Sequence, residues 1–148
     1  MFRPFKKDFT WQDVDLLAYK QEGGAPFKDV TRQVLFSGDD LKSELRYFEI
    51  TPGGHTTLER HEHVHAAMIL RGVGHCLVGN EVRAVHTHDL ITVPLLTWHQ
   101  LRAGADEPMG FLCMVDAVRD KPQLPSKDDL EALLADPIVA VFLQGENE

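Results

Sequence analysis

Apolar residues in this chain fall into short runs separated by turn-forming residues, not into long helical stripes. Val34-Leu35-Phe36 stops at Ser37-Gly38-Asp39-Asp40, and Leu45 to Ile50 stops at Pro52-Gly53-Gly54. Thr56 to His65 and Ala66 to Leu70 run up to Gly72. Val73 to Val78 ends at Gly79-Asn80, a tight hairpin signal. Leu90 to Val93 ends at Pro94, and Phe111 to Val115 is the last such run. Many short strands at this spacing predict an all-β sandwich or barrel. Residues 1 to about 30 show weak periodicity, and Gly23-Gly24-Ala25-Pro26 reads as a loop.

The pattern changes near the C-terminus. Ser126 precedes Lys127-Asp128-Asp129, with Leu130, Leu133 and Leu134 behind, which reads as an N-cap, an acidic first turn and one apolar face. Asp136-Pro137 reads as a second cap with proline at the first helical position, and Gly145 as a stop. Two short helices are therefore expected over about 126–144, packed on the outside of a barrel spanning about 34–117, within a single domain covering 1–148. Ala66 to Leu70 is apolar on both alternating faces. One face can line the barrel, and the other needs a cover, either those helices or a second copy of the chain. A homodimer is the expectation.

Composition narrows the function classes. Hydrophobic residues make up 43% and charged residues 26% of the 148, ordinary usage for a globular protein with a real core. The net charge of −8 argues against nucleic acid and anionic membrane as partners, because phosphate binding needs a basic surface and Lys6-Lys7 is the only basic doublet. No apolar run has the length of a signal peptide or membrane span, so a soluble, cytoplasmic location is expected. Cys76 and Cys113 form neither a disulfide framework nor a CxxC pair and read as reduced, buried thiols.

Histidine changes the picture. All eight, His55, His61, His63, His65, His75, His86, His88 and His99, fall in the middle of the chain. Read as a strand, Glu59-Arg60-His61-Glu62-His63-Val64-His65 puts Glu59, His61, His63 and His65 on one face. Three imidazoles and a carboxylate in one row are costly unless something binds them, and a divalent cation is their natural partner.

These residues carry a resemblance. Pro52-Gly53-Gly54, the histidines, and Leu70-Arg71-Gly72-Val73-Gly74 resemble the first motif of the cupin superfamily. His88-Asp89-Leu90-Ile91-Thr92-Val93-Pro94, ending at His99, resembles the second. The likeness covers about residues 43–117. It implies a double-stranded β-helix, or jelly-roll barrel, around one divalent ion of Fe, Mn, Ni, Cu or Zn. Gapless spacing from the double glycine implies Glu59, His61, His65 and His99 as ligands. A rival register takes His61 and His63 as the His-x-His pair, completed by His65 or Glu59. The chain departs from the pattern where His65 stands at the usual glutamate, His88 and Leu96 at the usual glycines of the second motif, and Ala103 at its usual asparagine.

The other histidines read as peripheral: His55 in a loop by the double glycine, His75 in a hairpin, and His86 and His88 in the turn before the second motif. Trp98 reads equally as pocket wall or core, and Cys113 as core. No P-loop, third Rossmann glycine or GxSxG is present. The resemblance implies a small-molecule enzyme, an oxygenase or isomerase by class, and alternatively a non-catalytic binding or sensing module. Fold does not choose between them.

Overall fold

The computed structural model describes residues 2–19 and 28–145, with Lys28 described in its backbone only. The expected loop at residues 23–26 lies outside the described residues. In chain order the strands are β1 (Leu17–Ala18), β2 (Lys28–Phe36), β3 (Ser43–His55), β4 (His65–Arg71), β5 (Gly74–Val78), β6 (Glu81–Val85), β7 (Leu90–Val93), β8 (His99–Ala103) and β9 (Met109–Asp116). They form one curled antiparallel sheet in the order β6-β5-β8-β3-β9-β4-β7, with β2 on the other edge of β3 and β1 beside β2. The expected jelly-roll barrel with short C-terminal helices is the observed architecture.

Strand β3 organises the barrel, and it is longer than the sequence suggested. Pro52-Gly53-Gly54 was expected to end it, yet the strand continues to His55. Gly53 has φ +68, open to glycine at little cost. The strand continues past that point rather than stopping. Before it β3 pairs with β2 and β9, and beyond it His55 keeps β2 through Lys28 and takes Arg102 of β8 in place of β9. The sheet thus folds over on itself, which is how a jelly roll hides its edges.

Alternation sorts the core. Val30, Phe48, Ile50, Ala67, Ile69, Ile91, Val93, Leu101, Met109, Phe111, Cys113 and Val115 form one buried cluster inside the barrel. Phe48 stacks on Phe111 at 5.3 Å between centroids. Gly110 is required by close approach: a Cβ there would sit 1.9 Å from the Tyr47 hydroxyl oxygen.

Helices α1 (Lys127–Leu134) and α2 (Pro137–Gln144) form where the sequence placed them. Ser126 and Asp129 make a reciprocal capping box, Asp136 caps α2, and Gly145 ends it at φ +79. Val139 and Phe142 are fully buried against Leu58 and Leu77, with Trp98 and Val82 alongside. The helices therefore cover the β5–β6 side and not the outer face of β4, where Met68 is exposed next to Leu90 of β7. No helix among the described residues is long and apolar enough to cross a membrane.

Candidate metal centre

The segment from Thr56 to Val64 is not the regular strand that alternation predicts. It is extended loop with isolated bridges at Glu59 and Arg60 and a bend at Glu62-His63. Backbone bonds secure it on two sides. Glu59 and His99 exchange both N–H···O bonds, at 3.2 and 3.0 Å, and Arg60 and Gln123 do the same at 3.1 and 2.8 Å. The Leu96 N–H donates to the His61 carbonyl at 2.6 Å, and the Glu62 N–H to Asp120 Oδ2 at 2.9 Å. Arg60 lies over the Trp98 ring at 4.4 Å and its Nε donates to Gln123 Oε1 at 2.9 Å. The histidine loop is thereby held between β8 and the chain that follows β9.

His61, His65 and His99 converge. One donor atom from each lies within 4.8 Å of the others. Ring centroids are 4.8 Å apart for His61–His65, 4.8 Å for His61–His99 and 4.9 Å for His65–His99. The tautomers follow from the acceptors. His61 Nδ1 lies 2.8 Å from the His63 carbonyl and His99 Nδ1 lies 2.9 Å from the Thr97 carbonyl. A carbonyl only accepts, so each Nδ1 carries the proton and each Nε2 keeps its lone pair for a cation. Burial, reinforced by the neighbouring imidazoles, drops the pKa of His65 to about 3. Burial likewise takes His99 down to about 4, and lowers His61. Three neutral imidazoles are what a divalent transition ion requires, so the donor set fits such an ion.

Both disputed residues line the same cavity. Glu59 faces it beside the cluster without belonging to it. His63 stacks flat on His61, centroids 3.7 Å apart, and its Nδ1 pairs with Asp120 Oδ1 at 2.8 Å. The cavity's apolar wall includes Phe48, Ala67, Ile91, Val93, Leu101 and Phe111. Cys113 is core, as expected, and also cavity wall: its Sγ lies 3.9 Å from His65 Nδ1, and burial pushes the thiol up to about 11. Trp98 belongs to the helix-side cluster and not to the wall. His55 sits at the end of β3 with its Nδ1 2.9 Å from the Thr56 carbonyl, while His75 and His86 line a separate surface pocket.

Arg46, Arg119, Asp120 and Tyr19 also line the cavity, and sequence reasoning missed all four. The available signal was Arg46 itself. It alternates with Phe48 and Ile50 in β3, so a charge points inward where an apolar residue is the rule.

Two positions keep the conformation of the residue they replaced. His88 and Leu96 stand where the second motif usually has glycine, and their φ values are +79 and +53. The left-handed turns persist without glycine, at a cost of about 1 kcal/mol each.

Residues 46–115 match the family described as Cupin domain. The crystal structure of a cupin-2 domain from Rhodospirillum rubrum superposes with a TM-score of 0.88 at 62% identity, covering 97% of each chain. This chain belongs to the cupin family. A cupin 2 conserved barrel protein from Rhodopseudomonas palustris superposes with a TM-score of 0.90 at 49% identity, covering 96% of this cupin and 98% of that one. Among curated proteins, the 1-methylthio-D-xylulose 5-phosphate methylsulfurylase of Rhodospirillum rubrum is 63% identical over 144 residues, 97% of this cupin and 92% of the relative.

Proposed function

We propose that this cupin is a metal-dependent enzyme that cleaves the carbon–sulfur bond of 1-methylthio-D-xylulose 5-phosphate or a close analogue. The observation that carries the reading is 63% identity to the methylsulfurylase across nearly the whole chain. The oxygenase and isomerase classes implied by the resemblance rest on the fold alone, which hosts many chemistries.

The ligand set we propose is His61, His65 and His99 with Glu59 as the carboxylate, and His63 as the alternative donor. A divalent ion held there supplies Lewis-acid polarisation of a substrate carbonyl and offsets the charge that develops on its oxygen. In such a substrate the C1–S bond lies beside the C2 ketone. A small thiol that attacks the sulfur takes the methylthio group as a mixed disulfide, C1 leaves as the enolate with its charge on the C2 oxygen, and a proton then fills C1. The Thr97 and His63 carbonyls fix the His99 and His61 rings, so the donor lone pairs need no reorganisation. Ala67, Ile91, Val93 and Leu101 keep water from the reacting carbon. Cys113, protonated at neutral pH, places a thiol beside His65.

The test is direct. Purified untagged protein, with metal content measured, is incubated with 1-methylthio-D-xylulose 5-phosphate with and without a small thiol as sulfur acceptor. Loss of the methylthio group by mass spectrometry supports the reading. A fully metal-loaded sample that binds the compound without turning it over sinks it and favours the non-catalytic binding module.

Assembly and location follow as part of the same proposal: a cytoplasmic homodimer. The outer face of β4 supports the dimer, since α1 and α2 pack elsewhere and leave Met68, Leu90 and Met114 exposed. Light scattering should then give about twice the 16.7 kDa chain mass at micromolar concentration. A single-chain mass across that range excludes it.

A further inference from the structure

The cavity has a second polar end that the histidine cluster does not use. Arg46 and Arg119 line it, and Glu44 stands between them. Glu44 Oε2 accepts from Arg46 Nε at 2.9 Å, from an Arg46 terminal nitrogen, and from Arg119 Nη1 at 3.0 Å. One carboxylate thus answers two guanidinium groups. Arg32 adds a third cation. Its register places it opposite Phe48, in the inward-facing series with Arg46. Its Nε is buried and has no hydrogen-bond partner among the described residues.

Two more acids line the cavity, Glu59 beside the histidine cluster and Asp120 at the mouth, and Asp120 is already committed. Asp120 Oδ1 pairs with His63 and Oδ2 accepts the Glu62 N–H. The Arg46 side chain is only 11% exposed, so bulk water screens its charge weakly. Burial lowers the Arg46 pKa against the pull of Glu44, and the neighbouring Arg119 and Arg32 charges push the same way. Such an arrangement is unfavourable until an anion joins it. Guanidinium forks fit a phosphate's geometry, and the overall charge of −8 makes this local excess stand out.

We propose that Arg46 and Arg119, backed by Arg32, form a phosphate-binding end of the cavity that anchors a sugar phosphate while its carbonyl end faces His61, His65 and His99. The sheet sets the span. Ala67 of β4 pairs with Cys113 of β9, which pairs with Arg46 of β3, so the cluster's strand and the arginine's strand are two spacings apart, about 10 Å of backbone. Side chains from both reach into the space between them. A pentulose phosphate, polar at both ends, can touch the cluster and the arginines from within one cavity, and an unphosphorylated sugar leaves the arginines to share Glu44 alone. The proposal rests on the methylsulfurylase reading for its choice of sugar, but the anion site stands apart from carbon–sulfur chemistry.

The experiment compares D-xylulose 5-phosphate, D-xylulose and inorganic phosphate by calorimetry on metal-loaded protein. Xylulose 5-phosphate should bind about tenfold or more tightly than xylulose, the worth of one or two charge-assisted bonds. Arg119→Gln and Arg46→Gln should erase that preference and leave metal content unchanged. Arg119→Lys should restore part of it. In turnover, Arg119→Gln should raise KM for the phosphorylated substrate while kcat holds. Should Arg46→Gln misfold, Arg119, with a 24% exposed side chain, carries the test alone. A phosphate preference that survives both Gln variants overturns the proposal. Arginine-dependent phosphate preference without loss of methylthio sinks the enzymatic reading only. Turnover that is indifferent to the phosphate sinks the anion site only.

Discussion

Lowering the pH of the metal-free protein from about 7.5 to about 5 should cost it about 4 kcal/mol of stability. The perturbation acts on His65 and His99, whose folded-state pKa values are about 3 and about 4. In the unfolded chain both return to about 6.5. Between these values the unfolded state holds more protons than the folded one, so stability falls as pH falls through the window from 6.5 toward 4. At pH 5 each unfolded imidazole is almost fully protonated, and each folded one is almost fully neutral. The imbalance is about 1.5 pH units below the unfolded pKa, or about 2 kcal/mol per histidine at 1.36 kcal/mol per unit. His61, lowered in the same direction, adds to it. The figure depends only on the folded pKa values lying well below 5. Few carboxylates titrate above that pH, so the histidines dominate the change.

The assay is urea unfolding of chelator-stripped protein at the two pH values. With a slope of about 2 kcal/mol per molar urea, the midpoint should drop by about 2 M. A saturating divalent ion should shrink the drop, because binding favours the folded state with neutral imidazoles. A midpoint that moves by less than about 0.5 M would refute the argument that burial holds these rings neutral. Histidines with free imidazole pKa values would lose their metal between about pH 6 and 5. Rings depressed to about 3 and about 4 should hold their ion to lower pH, until the fold itself gives way.

Other outcomes follow from single residues. His99→Ala should remove most bound metal, by elemental analysis, with the circular dichroism of the barrel intact, and full occupancy would sink the ligand assignment. Glu59→Gln should weaken metal about tenfold or more and His63→Gln should not, if Glu59 is the fourth donor. Gly110→Ala drives a Cβ into the buried Tyr47 ring and should cost about 3 kcal/mol or more in denaturant unfolding. Phe142→Ala should cost about 3–5 kcal/mol, because a fully buried ring leaves a cavity between α2 and the barrel.

Most of the barrel was legible because its strands have one wet and one dry face. The helices were legible because Ser126, Asp136, Pro137 and Gly145 are local signals that act within one turn. What escaped were features set by distant partners. Strand β8 begins at His99 and carries the buried polar Gln100. Gln100 is satisfied by the Thr56 carbonyl at 2.8 Å, a partner 44 residues away that no local pattern announces. Alternation places Arg46 inward, but its partners there, Glu44 and Arg119, are assembled only when the chain after β9 returns.

The histidine segment shows why a right grouping can rest on a wrong geometry. Alternation put Glu59, His61, His63 and His65 on one face, and all four do line one cavity. A flat strand cannot give what is seen, however. Same-face neighbours in a strand stand about 7 Å apart, two rises of about 3.3 Å. The His61 and His63 rings lie 3.7 Å apart and nearly parallel, at 4°. Only the bend at Glu62-His63 brings them that close, and it also turns the His63 carbonyl toward His61 Nδ1. The irregular backbone is therefore the device that orients the His61 ring, and the bonds from Gln123, Asp120 and Leu96 hold it in shape. A regular strand would keep the same residues on one side and leave His61 without the acceptor that fixes its tautomer.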